Sequence, residues 1–222
     1  MRAGLRRGWT RLRELGAREA ARRAGARLEA RAWDRYFGVN TDGFDYDRSG
    51  YGDSGHHVHY EPLPWQLLRR AVGALSLGPT DVFLDLGSGL GRVLMMAARR
   101  PLKRVLGVEF MAPLAERSRE NLRRCQRRLR SPVEVVIADA SKWEVPDDVS
   151  VVLLFNPFVG DVMAAVQRNL EASLTRSPRR LQLLYAHAND QPNLFADCAW
   201  LRLDRRLEVG AYREMNLLVY ER

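Results

Sequence analysis

Apolar and polar positions along this 222-residue chain fall into two rhythms that alternate from residue 62 onward. Short runs in which nearly every position is apolar, VFLDL (82–86), RVLGVE (104–109), VEVVIAD (133–139), VSVVLLF (149–155) and RLQLLYA (180–186), read as strands buried on both faces. Between them, segments 91–99, 112–130 and 160–175 repeat apolar residues at helical spacing. PLPWQLLRRAVGALSLG (62–78) precedes the series, with prolines at its start and Gly78-Pro79 at its end, the punctuation of a helix. Strands alternating with amphipathic helices predict a mostly parallel sheet covered on both faces, a three-layer α/β sandwich. The rhythm changes at the end: WLRLDRRLEV (200–209) and REMNLLVY (213–220) are strand-like and separated by a few residues around Gly210. So short a link permits only an antiparallel pair, which predicts a seven-strand sheet closed by a C-terminal hairpin.

The first 61 residues are of two other kinds. Residues 1–37 are rich in Arg and Ala, with Leu5, Trp9, Leu12, Leu28, Ala32 and Tyr36 at three- and four-residue steps, so a helical extension is expected. Residues 38–61 (GVNTDGFDYDRSGYGDSGHHVHYE) are dominated by Gly, Asp, Ser and Tyr and read as a polar loop. Residues 62–222 then form the main domain.

Charge adds a second asymmetry. The net charge is +9, and residues 1–35 carry eleven Arg against four acids, +7 of that total. Three readings of this basic helix stand side by side: a solvated helix docked by a thin apolar stripe, a contact for nucleic acid or an acidic partner, or a membrane-surface or targeting segment. Lys103 and Lys142 are the only lysines, so the Arg excess also reflects composition bias. No continuous apolar segment approaches the about 20 residues that a bilayer requires. Cys125 and Cys198 have no framework spacing, and a reduced, cytoplasmic setting is expected.

The densest chemistry lies in LDLGSGLGR, where Gly87, Gly89 and Gly91 occupy alternate positions between a strand and a helix. Such turns also serve dinucleotides, but there the spacing is G-x-G-x-x-G. Here Asp85 stands two positions ahead of Gly87, where it would repel a pyrophosphate and suit a cationic amine. S-adenosylmethionine (SAM) carries such an amine and a sulfonium. Glu109 closes the second strand, where a carboxylate can accept both ribose hydroxyls. Asp139 ends the third, placed either to accept from an adenine amino group or to cap the helix that follows.

Taken together, residues 62–220 resemble a class I, seven-strand SAM-dependent methyltransferase: DLGSGLG is similar to that family's first motif, GVEF to its second, IADAS to its third and LLFNPF to its fourth. The resemblance implies a Rossmann-like fold, SAM as cofactor, and cofactor-site roles for Asp85, Gly87, Ser88, Gly89, Gly91, Glu109 and Asp139. HYEPLPW (59–65) also resembles a segment of the non-SET histone-lysine methyltransferases and related small bacterial proteins, which implies that Tyr60 and Glu61 cover the methionine end of the cofactor.

Chemistry is expected at 155-FNPF-158, after the fourth strand. Asn156 and the carbonyl before Pro157 could accept hydrogen bonds from an amino group while Phe158 packs its carrier; Asn-Pro could equally turn the chain. Amino-group methyltransferases use a related tetrad with two prolines, and this sequence has one. His56, His57 and His59 admit a metal site, a general base or plain loop polarity, and no metal is expected because methyl transfer needs none. His187 also lies past a strand on the ligand edge. The expected acceptor is an amino nitrogen on a protein side chain. RNA, a small molecule, a SAM-binding adaptor without turnover and a dinucleotide oxidoreductase are the alternatives.

Overall fold

The computed structural model describes residues 24–25, 27–41, 62–155, 158, 160–188, 194–195, 198–208 and 213–220, the side chains of 187, 188, 208 and 213–218 excepted. Helix α1 covers residues 27–37 and α2 Trp65–Ala74. Then follow β1 (Val82–Leu86), α3 (Arg92–Ala97), β2 (Arg104–Glu109), α4 (Ala112–Cys125), β3 (Val133–Ile137) and β4 (Val151–Phe155). Helix α5 (Gly160–Arg176), β5 (Leu181–Ala188), β6 (Arg202–Glu208) and β7 (Arg213–Tyr220) complete the order.

The seven strands make one sheet in the order β3-β2-β1-β4-β5-β7-β6. Strands β1 to β5 pair in parallel, while β7 runs antiparallel to both β5 and β6. The alternating-element reading and the closing hairpin are both observed. Order reverses between β2-β1 and β4, so the usual ligand position of an open α/β sheet lies beyond the C-terminal ends of β1 and β4.

Strand alternation sends side chains into two apolar layers. Phe83, Val105, Val135, Val151, Leu153 and Leu184 meet α1, α2 and α3 on one face. Val82, Leu84, Leu106, Val152, Leu154 and Leu183 meet α5 on the other. The C-terminal part of the basic extension belongs to the first layer. Trp33, Phe37 and Trp65 stack with ring centroids 5.2 to 6.0 Å apart, and Phe37 and Trp65 are each 1% exposed. Trading one of these rings for a methyl group would cost about 3–5 kcal/mol, so α1 is docked by large rings rather than by a thin stripe.

Several ends differ from the periodicity. Helix α2 begins only at Trp65 because Pro64 caps it, and it stops at Ala74 rather than 78. Helix α4 gives way at Cys125 to a 3-10 turn over Gln126–Arg128, where the buried positions run out and the Arg-rich tail cannot add to the apolar face. Strand β3 ends at Ile137, which leaves Asp139 two residues beyond it.

Candidate functional site

At the end of β1 the chain reverses through Gly87–Gly91. Gly87 N–H and Ser88 N–H both donate to Val108 O, at 2.9 and 3.0 Å, so the turn is pinned to the end of β2. Gly87, Gly89 and Gly91 hold φ of 84°, 49° and 85°, a region that side chains disfavour. At Gly91 space is limiting too: a methyl group there would lie 2.5 Å from Ser118 Oγ of α4. The turn also depends on a glycine that the motif reading passed over. A methyl group on Gly107 of β2 would lie 2.6 Å from Leu94 Cδ1 and 2.8 Å from Ser88 Oγ. Ser88 can fold over β2 only because that strand position has no side chain. A glycine inside an apolar strand is the signal that marks it.

Two carboxylates lie beneath this turn. Asp85 is 2% exposed on β1, and its Oδ2 has no hydrogen-bond partner among the described residues. Burial, and then the charge of Glu109, push its pKa well above the usual carboxylate range. Glu109 is also buried, and burial raises its pKa despite opposing donation from the N–H groups of Met111, Gly89 and Phe110. Gly89 N–H reaches Oε2 at 2.8 Å and Met111 N–H reaches Oε1 at 2.9 Å. These bonds fix the carboxylate while each oxygen keeps a second lone-pair site for a hydroxyl.

Such an arrangement is costly without a ligand: a desolvated, unpartnered carboxylate stands beside a second one. A cationic ligand removes the mismatch, and the ammonium and sulfonium of SAM supply that charge, with ribose hydroxyls for Glu109. The residues present therefore fit SAM. A dinucleotide pyrophosphate would add to the negative charge instead.

Asp139 shows the capping alternative, although a turn follows it rather than a helix. Its Oδ1 accepts from Ser141 N–H at 2.9 Å and Ser141 Oγ–H at 2.6 Å, while Lys142 Nζ lies 3.7 Å from Oδ2. Near it are two residues that the sequence reading missed. Ile137 is the β-ladder partner of Glu109, and Phe110 follows Glu109 directly. They are 41% and 42% exposed, large apolar surfaces at the ends of β3 and β2 where a flat base could rest. The signal available was an aromatic residue straight after a strand-end acid.

Behind the turn, Arg92 opens α3 as a 5% exposed cation. Its Nε donates to Thr41 Oγ1 at 2.6 Å and its Nη1 to Leu63 O at 3.3 Å, and its guanidinium lies 5.4 Å from the Trp65 ring centroid. Asp34 accepts from Thr41 N–H (2.8 Å), Thr41 Oγ–H (2.6 Å) and Trp65 Nε1–H (3.2 Å). Asn121 Nδ2 spans Leu90 O and Asn40 O at 3.1 and 3.2 Å. Residues 40–41 and 63–65 are thus both tied to the glycine turn.

Tyr60, Glu61, His56, His57, His59, Asn156 and Pro157 lie outside the described residues, as does the His187 side chain. Phe158 is 7% exposed and packs in the α5-side apolar layer just after β4. Among the described residues no three His, Cys, Asp or Glu side chains group to hold a metal, and no helix is long and apolar enough to cross a membrane.

The family model of the histone methylation protein DOT1 matches residues 29–131, which run from α1 through the glycine turn and Glu109 to the approach to β3. A sequence search of curated proteins finds no match. Among solved structures, a SAM-dependent methyltransferase from Aquifex aeolicus is 16% identical with a TM-score of 0.58, covering 80% of this chain and 100% of its own. An RNA methyltransferase from Salinibacter ruber, crystallised with S-adenosyl-L-homocysteine, is 20% identical with a TM-score of 0.54, covering 72% and 92%. The methyltransferase domain of bacterial CtHen1 is 15% identical with a TM-score of 0.55, covering 70% and 97%.

Proposed function

We propose, from the premise that this chain is a class I, Rossmann-like SAM-dependent methyltransferase by fold, that it transfers a methyl group to an amino nitrogen of a protein side chain. The observation that carries the cofactor half is the buried, unpartnered Asp85 carboxylate beside Glu109 under a three-glycine turn. The protein-amine half is supported by the DOT1 family match.

When bound, SAM supplies an electrophilic methyl carbon on a sulfonium; the protein's part is to align and to balance charge. Asp85 holds the ammonium end, the glycine turn gives the nucleoside a close backbone approach, and Glu109 accepts from the ribose. Phe110 and Ile137 would cover the adenine, and Asp139 would meet its amino group. Tyr60 and Glu61 would cover the methionine end. Asn156 and the carbonyl before Pro157 would accept from the acceptor amine. Cys125, whose thiol burial pushes up to about 11, takes no part in this scheme. A cytoplasmic setting is the reading favoured by two cysteines without framework spacing.

The test is incubation of the full chain with methyl-labelled SAM and cell extract, fractionated into protein, RNA and small molecules. Label in the protein fraction, recovered after acid hydrolysis as a methylated amino acid with the methyl on side-chain nitrogen, is the expected result. Label confined to RNA or to small molecules would overturn the acceptor while leaving the cofactor assignment standing, and no label in any fraction would favour a non-catalytic SAM binder.

A further inference from the structure

Far from the cofactor crevice, the chain gathers positive charge that the methyl-transfer reading leaves unused. Residues 122–130 contain five arginines and no acid. Of these, Arg124 is paired with Glu120, which Arg123 also faces electrostatically, whereas Arg127, Arg128 and Arg130 are exposed and have no carboxylate partner among the described residues. Helix α3 ends beside them, since Arg130 N–H donates to Ala98 O at 2.7 Å, and Arg99 and Arg100 follow directly. Helix α1 joins the group through Tyr36, whose ring centroid lies 4.8 Å from the Arg128 guanidinium and 5.4 Å from that of Arg99. Two guanidiniums share one ring that is itself 42% exposed.

Arginine cannot relieve this crowding by losing its proton. The repulsion among these groups is relieved by salt or by a bound anion. Their placement decides what kind. They come from the ends of α3 and α4 and from the run into β3, at the edge of the sheet where the parallel strands begin. The glycine turn and Glu109 are at the other edge, one strand length away, roughly 17–20 Å. The charges are spread over an exposed surface of three elements rather than around one pocket, which suits repeated phosphates better than a single ion. Guanidinium forks match phosphate oxygens in pairs, and the Tyr36 ring holds the Arg99 and Arg128 guanidiniums together on this surface.

We infer that this surface, centred on Arg127, Arg128, Arg130 and Tyr36, is an exosite that grips the phosphate backbone of a nucleic acid without regard to sequence. It leaves the methyl-transfer crevice open. The inference is independent of the acceptor proposal.

The experiment is fluorescence anisotropy of the full chain with labelled 24-base-pair DNA and RNA duplexes, and with a poly-glutamate peptide of comparable charge, between 50 and 200 mM salt. Wild type should bind at least one duplex, losing about 10³-fold across that range if six phosphates are engaged. The variant R127E/R128E/R130E should bind at least thirtyfold more weakly, and R127Q/R128Q/R130Q should flatten the log–log salt slope by about 2.7. Both variants should bind SAM as the wild type does, because the surface is remote from the turn. A matched reversal in the N-terminal stretch, R6E/R7E/R11E, should cost less than the exosite reversal. Four results would each overturn the inference: no binding to either duplex, an unchanged salt slope in the glutamine variant, an equal or larger loss from the N-terminal reversal, or poly-glutamate bound as tightly as the duplexes.

Discussion

Arg92 Nε donates to Thr41 Oγ1 at 2.6 Å across 51 residues of sequence, inside the protein and directly behind the glycine turn. Thr41 is 0% exposed and Arg92 5%. A buried guanidinium held by a hydroxyl, a carbonyl and an indole face joins the N-terminal helix, the start of α2 and the first residue of α3 into one unit. Removing one member strands the rest, and the cost of leaving buried polar groups unpaired exceeds the net value of the bonds themselves.

Arg92→Ala should therefore destabilise the fold by about 3–5 kcal/mol, read by denaturant unfolding. It should also weaken SAM binding at temperatures where the variant remains folded, because the turn loses its backing. Arg92→Lys keeps the charge and part of the packing but not the fork, and should recover some of the stability and little of the affinity. Wild-type affinity in a well-folded lysine variant would show that Arg92 serves stability alone.

Gly107→Ala tests the close passage of Ser88 over β2. The added methyl collides with Leu94 Cδ1 and Ser88 Oγ, an overpacking that costs about 1–3 kcal/mol. SAM affinity should fall with it, since the turn must lift. Ser88→Ala alone should be neutral or slightly stabilising without ligand, because Ser88 Oγ is buried with no partner among the described residues, and it should restore part of the G107A loss. Thermal shift and SAM titration on the three variants check this.

Phe110→Ala removes an exposed ring at the end of β2. If adenine rests on it, affinity for SAM and for adenosine should both fall by about 1–3 kcal/mol, with little change in folding stability. An unchanged adenosine affinity would place the base elsewhere.

The two acids also set a pH dependence. Asp85 has a folded pKa raised by burial and by Glu109. The folded state without ligand therefore binds more protons than the unfolded chain between the ordinary carboxylate range and that raised value, and its stability falls as pH rises through this window. A cationic ligand prefers ionised Asp85, so SAM binding should release a proton there and weaken as pH drops. Calorimetry in buffers of different ionisation enthalpy measures that proton, and Asp85→Asn should abolish its share.

How much of this was legible depended on sequence distance. Strand β1, the parallel series and the terminal hairpin could be read because apolar runs and short links are local signals. Asp85 and Glu109 could be placed because each sits at a fixed offset from a strand end. Gly107 escaped because its requirement comes from Ser88, a neighbour across the sheet. Phe110 and Ile137 escaped because only β-register sets an exposed apolar residue beside Glu109. The Thr41–Arg92–Asp34 network could not be read at all: its members belong to segments that periodicity treats as a polar loop and two helices. Asp139 carried two readings in the sequence, and the local bond to Ser141 is the one that a two-residue spacing favours.

The proposed function turns on an Asp85 carboxyl kept buried and unpartnered for the sake of a cationic cofactor. Calorimetric titration of SAM into the wild type and Asp85→Asn, with the melting temperature of each ligand-free protein, tests it most directly. Expected are micromolar binding by the wild type, a loss of at least a hundredfold in the variant, and a variant that melts no lower than the wild type because it no longer buries an ionisable, unpartnered carboxyl beside Glu109. Equal binding by both proteins, or lost binding accompanied by a collapsed melting temperature, would contradict it.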